Sequence, residues 1–330
     1  MPHLSPKDLP HDTITGSPCG AGASSCATET REVLVHGHRM RYFIAGSGAP
    51  VLLLHGLADS KEAWLRVAPE LARRYQVVAP DLLGCGDSDK PDVSYHPVAL
   101  ATYLRHFLDA LHIPSAHVVG HSLGGGLALH LYMRYPERVE SLALVASGGF
   151  GRQLPLSMRL CTLAGSSGII GALLASRHSR HPAARIGHAL LSRLWPATSV
   201  ADLAGRTGAD TTRQAQAVEE ADILDRLRDR GARSAFLAML RSVGDIRGQR
   251  TSALGALRLV QVPVLLINGR DDTVIPVAHG VAALRHLTDG RLEVLDNCGH
   301  CPHREAPSRV AALLRGFFAR VPSARMTVCI

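Results

Sequence analysis

The sequence predicts an α/β fold: a doubly wound, mostly parallel sheet with an inserted all-helical cap. Three observations carry this expectation. Short apolar runs such as VLLL (51–54), HVV (117–119) and VPVLLI (262–267) have the length and two-sided apolarity of strands buried on both faces. Stretches of helical period separate them, the alternation that builds a parallel sheet. That alternation stops near Gly148, gives way to about 100 residues of helical patterning, and resumes at VQVPVLLING.

Residues 1–30 are rich in Pro, Ser, Gly and Thr without a period, which predicts a mobile tail. REVLVHGHRMRYFIAG alternates about Gly37, as two antiparallel strands joined by a tight turn would. After the strand VLLLHG, a helix is expected over SKEAWLRVAPELARR with Ser60 as its N-cap. Strand QVVAPD, helix HPVALATYLRHFLDALH, strand SAHVVGH, helix SLGGGLALHLYMRYP and strand SLALVAS follow. Beyond VPVLLI come a helix from Pro276, the strand RLEVL, and a last helix from about Arg304 to Arg320. Within the insertion, SAFLAMLRSVGDI places Phe236, Leu240 and Val243 on one helical face. The expected organisation is a tail at 1–30, a core made of 31–149 and 251–330, and a cap at 150–250.

Composition narrows the classes. The chain has 330 residues, 46% hydrophobic and 19% charged, enough to bury a large core without metals or disulfides. The formal net charge is +8, and residues 150–250 alone carry +7, from 15 cations and 8 anions. Aromatic residues make up 4% of the chain and no basic run of five occurs, so a nucleic-acid partner is not expected. A basic cap leaves room for an anionic substrate or peripheral contact with an acidic surface. Seven cysteines without framework spacing fit a reducing compartment. No secretory signal and no apolar run of 18 residues is visible, so a cytoplasmic protein without a transmembrane segment is expected.

Gly120-His121-Ser122-Leu123-Gly124 lies directly after an apolar strand and directly before a helical pattern. A nucleophile on a strand-to-helix turn needs a strained backbone, and side chains two residues to either side would clash, so glycine is required at both positions. The N-terminus of the following helix favours an anion developing there. Gly125, Gly126 and Ala128 are expected to let that helix pack closely on the sheet.

A serine hydroxyl needs a base, and the base an orienting acid. Of 18 histidines, His300 in the loop DNCGHCPH, just past RLEVL, is the candidate; His303 competes but falls in the first turn of a helix. His121 should point away from the reaction, and His55 should support its own loop. The acid is expected at Asp272 in NGRDDTVIP, with Asp271 as the fallback. Ser147, Gly148 and Gly149, after SLALVAS, offer no carboxylate. The N–H groups of Leu57 and Leu123 would form an oxyanion hole. Cys298 and Cys301 make a CxxC around His300, but two further ligands are not visible, so no metal and no cofactor is expected.

With these residues in place, 31–320 resembles the α/β-hydrolase superfamily, in particular its capped, esterase-like and lipase-like bacterial members. HG (55–56), DLLGCGDSDKP (81–91), GHSLGG (120–125), GRDDTVIP (269–276) and CGHCPHREAP (298–307) stand in the family's order. The resemblance implies Ser122, Asp272 and His300 as a triad with Leu57 and Leu123 as oxyanion donors. Asp81, Gly84, Gly86 and Ser88 then read as a bracing loop. A serine nucleophile argues against epoxide hydrolases and haloalkane dehalogenases, which require a carboxylate. HGLADS lacks the glycine-proline run common in meta-cleavage C–C hydrolases, which lowers that reading without removing it. The expected function is cleavage of a carboxylic ester with small apolar parts, through an acyl-enzyme. Acyl transfer, thioester cleavage, C–C hydrolysis and a non-catalytic ligand receptor are the alternatives.

Overall fold

A computed structural model describes residues 28–170, 225–250 and 253–321. Nearly all of the expected tail, and the cap from 171 to 224, lie outside these residues. Ten strands are described: β1 Glu29–Val35, β2 His38–Ala45, β3 Ala49–Leu54, β4 Tyr75–Pro80, β5 Ala116–His121, β6 Val139–Val145, β7 Gly244–Asp245, β8 Gly248–Gln249, β9 Val264–Gly269 and β10 Gly290–Leu295. Eight of them form one sheet in the order β1-β2-β4-β3-β5-β6-β9-β10. The β1–β2 and β2–β4 pairs are antiparallel and all others parallel. His36 and Gly37, with φ of 52° and 79°, close the β1–β2 hairpin, the left-handed pair that a two-residue turn between twisted strands requires.

The period-2 alternation of the strands sorts their side chains onto two cores. Leu52, Leu54, Val78 and Val118 face the layer formed by the helices Pro97–Ala110 and Leu123–Arg134. Val51, Leu53, Val77 and Val119 face the other layer, with Ala68, Leu71 and the helix Pro307–Phe318. Both faces are covered, so the parallel strands read as continuous apolar runs. The chain steps from β3 to β4 on one side and returns as β5 on the other, which leaves a crevice at the carboxyl ends of β3 and β5.

Three expectations are corrected here. The helix over SKEAWLRVAPELARR is a 3₁₀ turn Lys61–Trp64 and a short α-helix Ala68–Leu71. Pro69 explains the break, since its ring excludes a helical bond and clashes with the preceding turn. Ser60 precedes that 3₁₀ turn but makes no side-chain cap bond; the Lys61 N–H donates instead to Asp81 Oδ1 at 2.7 Å. The last helix is divided into Pro302–Glu305 and Pro307–Phe318. Ala306, at φ −133° and ψ 55°, lies outside the α region there, because the residue before a proline is driven out of it.

The insertion is not all-helical, since β7 and β8 form a two-stranded ribbon after the helix Arg230–Val243. Phe236 and Leu240 of that helix are buried, while Val243 is half-buried. The ribbon staples the insertion's ends together. Gln249 accepts from the Gly149 N–H at 2.7 Å and donates to the Gln153 carbonyl at 2.9 Å. No helix among the described residues is long and apolar enough to cross a membrane.

Candidate active site

Ser122 stands at the carboxyl end of β5 with φ 51° and ψ −112°, a left-handed conformation that costs a non-glycine residue about 1–3 kcal/mol. Its surroundings enforce that shape. A Cβ at Gly120 would overlap the Gly124 carbonyl, and one at Gly124 would overlap the carbonyls of Leu54, at the end of β3, and of His55 just past it. Gly125 similarly faces Ser147, but Gly126 meets nothing within 4 Å, so only the first of these two helical glycines serves the close packing expected of both.

Ser122 Oγ–H donates to His300 Nε2 at 3.1 Å, and His300 Nδ1–H donates to Asp272 Oδ2 at 2.9 Å. The other Asp272 oxygen accepts from the N–H groups of Val274 and Ile275, both at 2.8 Å. The Asp272 side chain is fully buried and that of His300 is 20% exposed, so the acid is shielded from water while the imidazole is in part accessible. Asp271, the fallback, is exposed. The Leu57 and Leu123 N–H groups lie in the chain segments that follow the adjacent strands β3 and β5, and neither has a backbone acceptor among the described residues.

The Leu57 turn is closed by the Asp59 N–H donating to the Gly56 carbonyl at 3.4 Å, with Ala58 at φ 59° in its bend. His55 is buried beneath it. Its Nδ1–H donates to the Gly56 carbonyl at 2.8 Å and its Nε2 accepts from the Leu82 N–H at 3.0 Å. Burial pushes its pKa down, so the ring is a neutral strut, as its support role required. The 81–91 segment is a brace: buried Asp81 accepts from Lys61 Nζ at 2.9 Å and from the Asp87 N–H at 2.8 Å. Burial opposes the charge on Lys61, but Asp87, Glu62 and Asp81 outweigh it and hold the ammonium protonated.

The brace on the His300 loop is a residue to which the sequence assigns no role. Glu305 accepts from the Gly299 N–H at 2.6 Å and the Cys301 N–H at 2.9 Å, so one carboxylate clamps the loop on both sides of His300. Its signal was an acid five residues after the base and one turn into the next helix. His121 turns away from the serine, and its Nε2–H donates to the His300 carbonyl at 2.9 Å. Burial pushes its pKa down to about 3. His303 is buried against Trp64 and His121 and is likewise held neutral by burial. Cys298 and Cys301 are buried thiols; burial pushes Cys298 up to about 12, which leaves it unreactive.

Asp59, His121 and His303 place ligand atoms within 4.8 Å of one another. Two guanidiniums, Arg226 and Arg304, already lie on the Asp59 carboxylate at 3.2 and 2.6 Å. Their charge disfavours a cation at this point, and the donor set does not fit a metal.

Fold and candidate site define a class: a doubly wound sheet whose β5 elbow presents a serine to a histidine and a buried carboxylate supplied from the ends of later strands. The chain belongs to the alpha/beta hydrolase fold family, whose model matches residues 49–307. It is 35% identical over 285 residues to an uncharacterized protein of Mycobacterium tuberculosis, covering 86% of this chain and 79% of that one. It is 30% identical over 304 residues to the 2-hydroxymuconate semialdehyde hydrolase of a Pseudomonas strain, covering 90% and 96%. Among solved structures it is similar to a membrane phospholipase A described as a bacterial virulence factor, with TM-score 0.67, 26% identity, and 90% and 87% of the two chains covered.

Proposed function

We propose that the protein is a serine hydrolase that cleaves carboxylic esters through an acyl-enzyme. The observation that carries the reading is the continuous chain of hydrogen bonds from Ser122 Oγ through His300 to buried Asp272. Ser122 Oγ attacks the carbonyl carbon while His300 Nε2 takes its proton, and Asp272 orients the ring and stabilises the imidazolium. The Leu57 and Leu123 N–H groups receive the oxyanion, each donor contributing about 2.7–4 kcal/mol to the transition state. His300 then protonates the leaving alcohol, and the same nitrogen activates the water that releases the acid.

The preference for apolar esters rests on the apolar contacts that the insertion makes over the site: Cys161, Ile170, Phe236, Leu237 and Leu240 cluster with Leu57 and Ala58. C–C hydrolysis is the second reading, supported by the similarity to 2-hydroxymuconate semialdehyde hydrolase over nearly the whole chain. The same triad and oxyanion donors serve both, and acyl transfer or thioester cleavage would change only the acceptor or the leaving group.

The deciding experiment measures turnover of short-chain aryl esters against a vinylogous diketone, with Ser122→Ala as control. Ester turnover that falls about 10³-fold or more in Ser122→Ala is expected. Undiminished activity of Ser122→Ala would overturn the assignment, and diketone cleavage with little ester turnover would select the second reading.

A further inference from the structure

We propose that Asp59 is a positioning residue that ties the inserted segment to both loops beside Ser122, so that the seating of the insertion sets the alignment of His300 and of the Leu57 N–H. The proposal rests on the serine-hydrolase reading above.

Asp59 is 2% exposed and stands two residues after Leu57. One of its oxygens, Oδ1, accepts three hydrogen bonds: from the Ser60 N–H at 2.8 Å, from Arg226 Nη1 at 3.2 Å and from Arg304 Nη2 at 2.6 Å. The three donors belong to three pieces of chain. Ser60 continues the turn that carries the Leu57 N–H, Arg304 lies four residues past His300, and Arg226 belongs to the insertion. Burial opposes ionisation of Asp59, but the charge and hydrogen bond of Arg304, with the Ser60 N–H, outweigh it and hold the carboxyl below its ordinary range.

The apolar contacts run along the same seam. Leu57 and Ala58 pack against Leu227, Phe236, Leu237 and Leu240, so the neighbour of Arg226 and the helix after it rest on the turn itself. Ala58 holds φ 59°, a conformation sustained only when its surroundings determine it. Two guanidiniums on one carboxylate oxygen cannot respond independently. Each is like-charged to the other and is held in place by the same atom, so a shift of Arg226 alters the seat of Arg304, and with it the loop that carries His300. A displacement of about 1 Å in a catalytic group costs on the order of 10²-fold in rate, so a small shift here is enough to matter.

The test is kcat and KM on one aryl ester, with kcat expressed per site titrated by a fluorophosphonate so that misfolded protein is not counted. Asp59→Asn is expected to lower kcat about tenfold or more while KM stays within about threefold. Arg226→Ala should lower kcat in the same sense, although its side chain is partly exposed and distant in sequence from the triad. The double variant Asp59→Asn/Arg226→Ala should be no slower than Asp59→Asn alone, because both break one link. Should Asp59→Asn not fold, the kcat of Arg226→Ala and its coupling to Arg304→Ala carry the same test. Multiplicative losses in the double variants, or a loss confined to KM, would overturn the role of Asp59. An unlabelled wild type would instead overturn the nucleophile assignment on which the role rests.

Discussion

Ser122 and His300 meet at 3.1 Å but are held in opposite ways. The serine is fixed by backbone: a left-handed φ, a carbonyl on β3 that excludes any side chain at Gly124, and its own N–H donating to the Val145 carbonyl at 2.9 Å. The histidine is fixed by side chains: Asp272 on its ring, Glu305 on the N–H groups of both its neighbours, and His121 on its carbonyl. A backbone-built position is all or none, since steric overlap cannot be partly relieved. A position built from hydrogen bonds is graded, because each can weaken alone.

The sharpest way to break the contrast is to place a side chain where the elbow forbids one. Gly124→Val should cost more than about 3 kcal/mol and leave little folded protein, read by circular dichroism on thermal unfolding. A folded variant with near-normal melting would show that the elbow is less constrained than its geometry states. On the histidine side, Glu305→Gln keeps the shape of the clamp but removes its charge. Its melting temperature should stay close to wild type while kcat falls about 10- to 100-fold. Unchanged kcat would remove Glu305 from the positioning of His300.

Acid should act on the histidine side as well. His55, His121 and His303 are buried neutral, each with a folded-state pKa below the ordinary 6.5. The unfolded chain therefore binds more protons once pH drops below about 6.5, and stability falls with pH from there, by up to about 1.4 kcal/mol per unit for each ring. His303→Phe, which removes one such ring beside Trp64, should flatten that fall between pH 6.5 and 5 in urea unfolding. A slope as steep as wild type would contradict it. The smallest effect is expected next to the elbow. Gly126→Ala, on a helical position with nothing within 4 Å, should stabilise the protein by about 0.5–1 kcal/mol without touching kcat.

The same contrast explains what could be read from the sequence. The elbow is local, so an apolar strand, the Gly120 and Gly124 pair and a helical pattern announce it within ten residues. The positions of Asp272 and His300 at strand ends were legible for the same reason: each is marked by the run before it. The braces were not, because their partners lie far apart in sequence. Asp59 and Arg304 are 245 residues apart, and His121 and His300 are 179 apart. Nothing periodic links such pairs; only the closure of the sheet brings them together. The divided helices have another cause: the helical period of the side chains continues through Pro69 and Pro307, while the backbone cannot. The two-stranded ribbon leaves no trace in the sequence, because strands of two residues carry no pattern.

The staple at the base of the insertion has a consequence for how such a protein changes over time. β6 and β9 are neighbours in the sheet, and the chain between them leaves and returns at one point closed by Gln249, Gly149 and Gln153. Closing a longer loop at a fixed base adds only about 0.6 kcal/mol for each doubling of its length. The insertion is therefore a cassette. What lies between the staple's ends can change in length at little cost in closure entropy, while the bonds that fix its base, and the register of β6 on β9, stay as they are.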